Sequence, residues 1–252
     1  MRFIWHIEPE DIEKVRTFID SHRNDVFVRQ RIAKNLCPQK SPISKEDFWE
    51  YVVACLLTTQ QKSGPKSKVT QFIATRPFPL RYDVCMSHQD DLLDFACKLL
   101  TDFGGLRWPR QIAAGVSANL GTLEGKWGWQ KVFQMLDRLR EAQTQEMERL
   151  VAHFVDDLPG FGPKQSRNLL QGLGLTRYEI PIDSRVTRWL NKDFKFPIKL
   201  SATALADLNY YEFVLDAVQQ LCREADVMPC VLDAAIFSSV DNEGWEGVKN
   251  IW

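Results

Sequence analysis

Residues 157–192 read DLPGFGPKQSRNLLQGLGLTRYEIPIDSRVTRWLNK. His153, Phe154 and Val155 close the helix that precedes this stretch, and Leu158-Pro159-Gly160-Phe161-Gly162 makes a tight turn with two glycines. Pro163 falls where a first helical residue belongs, because its fixed φ suits the helix and its missing N–H costs nothing there. A second helix then runs from Lys164 to Leu173, with Leu169, Leu170 and Leu173 turned inward, and Gly172 and Gly174 end it. Two helices joined by a glycine hairpin leave backbone N–H groups unpaired at the start of the second helix. Those groups and the helix dipole make an anion site. Gly160 and Gly162 carry no side chain, so a phosphate can approach the backbone. Taken alone, the same turn also serves as a plain helix–helix connection.

Two charged residues extend the pattern. Lys164 opens the second helix, where the positive helix end and partial burial both work against its charge. Asp183 follows 19 positions later, after the extended IPI, and reads as the N-cap of a new helix, DSRVTRWL. An uncharged amine is a nucleophile, and a fixed carboxylate stabilises developing positive charge. A solvated lysine and a structural cap fit the same residues equally well on spacing alone.

Outward from this stretch, the 252 residues carry 32 Lys and Arg against 33 Asp and Glu, a formal net charge of -1, with 44% hydrophobic and 26% charged residues. That composition excludes disordered, collagen-like and coiled-coil chains and leaves room for one large domain or two small ones sharing a cleft. No apolar run approaches the ~18–20 residues that span a membrane. The opening MRFIWHIEPED turns acidic too early for a signal peptide, so the expected compartment is the cytoplasm, with nucleoid association in a prokaryote. Cys37, Cys55, Cys85, Cys97, Cys222 and Cys230 form no C-x-x-C pair, and the four histidines are scattered, so neither zinc nor an iron–sulfur cluster is expected.

The periodicity is helical almost throughout. Pro9 opens a helix to about His22, and residues 35–42 break the chain. Ser44 caps a helix bearing Phe48, Tyr51, Val52, Cys55 and Leu56. Gly64-Pro65 breaks it again, and a basic helix starts near Lys66. Further helices fit 88–102, 107–116, 127–150, 184–192, 208–224 and 229–240. Met1 to Ile7 and Tyr178 to Ile182 are short extended runs that make no sheet. The fold class is therefore all-α.

At this point residues 157–192 resemble the helix–hairpin–helix, Gly/Pro-rich-loop, aspartate superfamily of DNA glycosylases. LPGFGPK has the LPGxGxK form with its lysine, and Asp183 matches the catalytic aspartate at the usual separation. DSRVTRWLNK resembles the helix after that aspartate, with Arg188 at a recurrent arginine. LLTTQQ at 56–61 resembles the L-L-S-x-Q helix end, which places the glutamine match on Gln60. GFGPKQSRNLLQGLG is similar to the compact archaeal-type 8-oxoguanine glycosylases. Arg185 stands where many members have histidine, and the four-cysteine cluster of the iron–sulfur branch is absent from the sequence.

The resemblance implies a two-lobed helical fold with a cleft. Residues 50–155 would form a middle lobe, residues 1–49 with 156–252 a terminal lobe, and 154–174 the hairpin. It implies base excision with AP lyase activity: Lys164 as the nucleophile that forms a Schiff base, Asp183 as the stabilising carboxylate. Gly160, Phe161, Gly162, Gln165, Gln60, Gln61, Lys66, Lys68 and Arg185 are then the candidate DNA-contacting residues, with Lys62 and Arg76 as further basic candidates. Backbone carbonyls of Asp156, Leu158 and Phe161 are the candidate ligands of a sodium or potassium ion at the hairpin. No other cofactor is implied. The implied partner is double-stranded DNA with a modified base, bound by a monomer; 8-oxoguanine leads, with an oxidised pyrimidine or another modified base as the alternative. The base pocket is not specified: Trp108, Trp127, Trp129, Trp245 and Trp252, or Phe237 with Asp233, are candidates. A non-catalytic hairpin module that binds DNA, and an all-α protein-interaction domain, are the competing readings.

Overall fold

The structure is a computed structural model and describes residues 5–37 and 41–240. Thirteen α-helices and no strand are found among the described residues. In order they are α1 Pro9–His22, α2 Val26–Arg31, α3 Lys45–Leu57, α4 Lys68–Ala74, α5 Tyr82–Ser87, α6 Leu92–Phe103, α7 Pro109–Gly121, α8 Trp129–Glu141, α9 Gln145–Asp156, α10 Pro163–Gly172, α11 Ser184–Arg188, α12 Leu208–Glu224 and α13 Pro229–Val240. None of these is long and apolar enough to cross a membrane.

The helix α3 organises the interior. Ser44 caps it: its hydroxyl accepts from Asp47 N, while the Asp47 carboxylate reaches back to Ser44. Phe48, Trp49, Val52, Val53, Cys55, Leu56 and Leu57 are buried around nearly its whole circumference. A helix apolar on all sides needs neighbours on all sides, and α3 packs on α5, α7 and α10. Elsewhere α6 packs on α7 and α8 on α9, while α1 and α2 pack on α13 near the other end of the sequence. All the buried apolar residues except Ala217 belong to one continuous core.

Several expectations are corrected. Residues 127–150 are not one helix. The chain leaves helical geometry at Ala142, and Thr144 caps α9 by accepting from Met147 N. The apolar period continues across this break, so periodicity alone does not reveal it. The basic helix starts at Lys68, two residues late, because Ser67 is its cap. The helices α2 and α5, six residues each, have no counterpart in the sequence reading. Residues 1–4 of the expected N-terminal extended run lie outside the described residues, as do Trp245 and Trp252.

Candidate active site

The hairpin between α9 and α10 is closed by Leu158 N–H donating to Val155 O at 3.1 Å and Phe161 N–H donating to Leu158 O at 2.9 Å. Gly160 sits at φ +80°, a left-handed conformation, and a Cβ there would lie 3.2 Å from Leu56 Cδ2. From α7, Asn119 Nδ2 donates to Pro159 O at 2.7 Å and anchors the turn. Pro163 opens α10. The backbone N–H groups of Gly160, Gly162 and Lys164 have no acceptor among the described residues. They are the donors an anion would meet.

A buried ionic network lies beneath the hairpin. Arg167 is fully buried; its Nη1 donates to the Asp156 carboxylate at 3.1 Å and its Nε to Glu179 Oε2 at 3.0 Å. Ser166 Oγ donates to the same Asp156. Glu179 also takes Arg149 Nε at 3.1 Å. The hairpin is thereby tied to the extended run that leads to Asp183.

That run is buried and has no strand beside it, so side chains from helices satisfy its backbone. Glu148 of α9 accepts from the N–H groups of Arg177, Tyr178 and Glu179 at 3.0, 2.7 and 2.9 Å. Gln219 Nε2 donates to Tyr178 O at 2.9 Å. The Tyr211 hydroxyl donates to Ile180 O at 2.8 Å and accepts from Ile182 N at 2.7 Å. Burial pushes the Glu148 carboxyl up to about 7 against the three amides that favour its charge. The run delivers Asp183 to the N-terminus of α11, where Oδ1 accepts from the N–H groups of Arg185 at 2.7 Å and Val186 at 3.0 Å. Arg185 Nη1 donates to Asp183 Oδ2 at 2.9 Å. This carboxylate is held on both oxygens.

Lys164 and Asp183 open onto one cleft of about 1860 Å³. Lys164 Nζ donates to Gln165 Oε1 at 3.3 Å. Seven cationic side chains border the cleft (Lys62, Lys66, Arg107, Lys164, Arg185, Arg188 and Lys192) against a single carboxylate, Asp183. A chain of net charge -1 thus concentrates positive potential where a polyanion would lie. Burial pushes the nearby Cys55 thiol up to about 12, only partly offset by the Lys164 charge, so Cys55 is no competing nucleophile.

Of the residues named from the sequence, Gln60, Gln61, Lys62, Lys66, Phe161, Gly162, Lys164, Gln165, Asp183, Arg185 and Arg188 border this cleft. Gln165 spends its amide inside the protein. It is buried; its Nε2 donates to Cys55 O at 2.7 Å and Thr59 Oγ1 at 2.9 Å, and its backbone N–H donates to Gly162 O. It bridges α10 to the end of α3. Gln61 also spends its amide inside the protein, donating to Leu57 O and accepting from Arg107 N, whereas Gln60 is exposed. Lys68 lies over the Phe103 ring and Arg76 pairs with Glu50, both away from the cleft. Trp127 and Trp129 are core residues, stacked on Phe154 and Phe133. Phe237 and Asp233 stand behind Arg185, whose guanidinium lies 4.2 Å from the Phe237 ring centroid. Burial pushes the Asp233 carboxyl up to about 7, with Arg31 pulling the other way. Arg107, Asn191 and Lys192 border the cleft without having been expected there.

No protein-family model matches the sequence, and no curated protein matches it. Solved structures do. The 8-oxoguanine DNA glycosylase of Methanocaldococcus jannaschii aligns at 16% identity with a TM-score of 0.64, over 91% of this chain and 92% of that one. The 8-oxoguanine DNA glycosylase of Thermotoga maritima aligns at 13% identity with a TM-score of 0.65, over 93% and 97%. This chain has their fold. A third structure, the M. jannaschii 8-oxoguanine glycosylase/lyase in complex with a 15mer DNA containing 8-oxoguanine, aligns at 15% identity with a TM-score of 0.58, over 89% and 96%. In this fold as the chain builds it, the hairpin, the extended run and the end of α3 meet at one cleft, and Lys164 and Asp183 both border it.

Proposed function

We propose that this chain is a base-excision DNA glycosylase with AP lyase activity. It acts as a monomer on double-stranded DNA and removes a damaged base, 8-oxoguanine first among the candidates. The observation that carries this is the joint placement of Lys164 and the doubly held Asp183 on one cation-bordered cleft of a glycosylase fold. A module that only binds phosphates needs neither group.

A base inside a duplex is out of reach, so the nucleotide must first be flipped into the cleft. The free N–H groups of Gly160, Gly162 and Lys164 hold a backbone phosphate, a contact that reads no sequence. The carbonyls of Asp156 and Phe161 accept no hydrogen bond from described residues outside helices, and Leu158 O accepts one. This donor set fits a monovalent cation, which would add positive charge beside that phosphate. Lys164 Nζ, as free amine, bonds to C1′ while the glycosidic bond breaks and its electron pair leaves with the base, which takes up a proton. Asp183 stabilises the positive sugar and accepts a proton from the lysine nitrogen; the C1′–O4′ bond then breaks, O4′ takes up a proton, and the opened sugar is left as a C1′=N Schiff base. Loss of a C2′ proton then expels the 3′ phosphate oxygen and nicks the strand.

Borohydride reduction on a panel of duplexes, each with one modified base, tests this. The expected result is a covalent adduct on 8-oxoguanine duplex that is absent in Lys164→Gln. No adduct on any duplex, including one with a preformed abasic site, refutes the lyase assignment; no base release either refutes the glycosylase assignment.

A further inference from the structure

Two amides of its own helix hold Asp183 through Oδ1, which leaves the tilt of the carboxylate to whatever holds Oδ2. Arg185 holds it, through Nη1 at 2.9 Å. Many members of the superfamily that the sequence resembles have histidine here, and an imidazole has neither the five donors nor the permanent charge of a guanidinium. Arg185 is the second residue of α11. A cation there stands at the positive end of the helix, where the dipole disfavours it. Its support comes from two other helices. The guanidinium lies 4.2 Å from the centroid of the Phe237 ring of α13. Phe237 is in turn stacked on Phe27 of α2, with centroids 4.4 Å and planes 15° apart, and Phe27 is 1% exposed. The stack is anchored in the core, and Arg185 is its outer layer.

Arg185 borders the cleft and Phe237 does not, so the guanidinium lies between the ring and the cleft. The Arg185 side chain is only 16% exposed, with one face on a ring and one edge on a carboxylate. Its Nη2 lies 3.5 Å from Ser63 Oγ. The second carboxylate near it, Asp233, is one turn before Phe237 on α13 and has its own cation, Arg31, at 4.0 Å. Arg188 and Lys192 border the same cleft, are exposed, and have no ion pair among the described residues. Those two are the cations that an arriving phosphate would meet, whereas Arg185 is already committed. A carboxylate oxygen has two lone-pair sites, so Oδ2 keeps one for the lysine proton while Arg185 occupies the other.

We propose that Arg185 is a positioning residue: anchored on Phe237, it fixes the plane of the Asp183 carboxylate, and its charge is spent there rather than on DNA. The proposal rests on the glycosylase reading above and gives Arg185 a task which that reading leaves open.

The test uses a duplex with a preformed abasic site, which presents the sugar aldehyde with no base to be bound. Wild-type protein is expected to give a borohydride adduct in single-turnover experiments at saturating protein. Arg185→Met keeps the length of the side chain without the fork. Its adduct formation should be about tenfold slower, part of the ~100-fold that a 1 Å misplacement costs. Its affinity for the duplex, and the slope of log affinity against log salt, should stay at wild-type values. A phosphate contact predicts the reverse: weaker binding, a salt slope smaller by about one, and a wild-type rate at saturation. That outcome overturns the proposal, as does a variant unchanged in rate. Rate, affinity and melting temperature falling together mark Arg185 as a structural strut and overturn it too. Phe237→Leu leaves the Arg185 charge in place and removes the ring behind it. It should also slow adduct formation, and the double variant should be no slower than Arg185→Met alone. Slowing that multiplies in the double variant gives the two residues separate roles and overturns the anchor. If wild-type protein gives no adduct, the lyase reading fails and the positioning with it; a normal wild-type adduct with an unchanged rate in Arg185→Met overturns the positioning alone.

Discussion

Replacing Gln165 by leucine tests whether the amine of Lys164 has to be held. The native amide donates to Cys55 O at 2.7 Å and Thr59 Oγ1 at 2.9 Å, and its oxygen accepts from Lys164 Nζ at 3.3 Å. Leucine has nearly the same volume, so no cavity opens. Two good hydrogen bonds are lost at about 1 kcal/mol each, and buried methyl groups return part of that. The net loss is about 1–2 kcal/mol. At roughly 2–4 °C per kcal/mol for a chain of this size, the melting temperature falls by about 2–8 °C. The catalytic loss is larger, because α10 is no longer pinned to the end of α3 and the Lys164 side chain loses its partner. A misplacement of about 1 Å costs up to ~100-fold in rate, so single-turnover adduct formation should slow by about 10–100-fold. Affinity for an abasic duplex should hold, since the hairpin N–H groups are untouched. A variant that shows the thermal loss but traps DNA at the wild-type rate refutes the positioning argument. One that shows neither refutes the bridge itself.

Tyr211→Phe removes one hydroxyl that serves both Ile180 O and Ile182 N. At about 1–3 kcal/mol for each buried group left unpaired, urea unfolding should show a loss of several kcal/mol, and excision should slow because Asp183 lies at the end of that run. Gly160→Ala should cost about 1–2 kcal/mol from its left-handed backbone, with added crowding against Leu56 Cδ2. Anisotropy on a labelled abasic duplex should show weaker binding, and tight binding with an unchanged melting temperature would contradict the hairpin geometry. Burial raises the Glu148 carboxyl from 4.5 to about 7, so the folded state favours its protonated form. That contribution is complete below pH 4.5 and is lost as pH rises to 7, about 3 kcal/mol in all at ~1.4 kcal/mol per unit. Asp233, raised from 3.8 to about 7, acts in the same direction. The urea midpoint should therefore be higher at pH 5 than at pH 8, and Glu148→Gln should flatten the profile; an equal slope in the variant would remove Glu148 as its source.

How much of this was legible depended on whether a signal was local. The helices α12 and α13 match the residues read from sequence, because Pro229 and the breaks around them punctuate strong apolar periods. Lys164 and Asp183 were legible because turn, cap and spacing are all local. The helices α2 and α5 were not, since six residues carry too little period and exist through Phe27, Val28 and Cys85 packing into the core. The break at 142–144 carries no glycine or proline. The buried amide of Gln165 was not legible beside Lys164, although Gln165 shares a helical stripe with Leu169 and Leu173, at i+4 and i+8. The left-handed conformation of Trp108, at φ 59°, is set by a tertiary clip in which Arg107 holds Gln60 O and Gln61 Oε1, which no local pattern announces.

The placement of Asp183 shows how an all-helical protein delivers a carboxylate to a cleft on extended backbone. A strand in a sheet takes its hydrogen bonds from a parallel neighbour. Residues 177–182 have none, and Glu148, Gln219 and Tyr211 take that part, one from α9 and two from α12. Each of these side chains is buried or nearly so, and an unpaired backbone group among them would be costly. The arrangement has one satisfactory register: sliding the run by a residue would turn the amides of Arg177, Tyr178 and Glu179 away from one carboxylate. Arg167 adds a second constraint, because Asp156 at the hairpin and Glu179 in the run share its guanidinium. A buried ion pair is weak evidence for stability, but it fixes relative position, since removing one partner strands the other. The hairpin that would hold the phosphate and the run that carries the carboxylate therefore move as one body. The spacing between phosphate and reacting sugar is fixed by the DNA, so the distance between these two elements is the one this fold has most reason to hold constant.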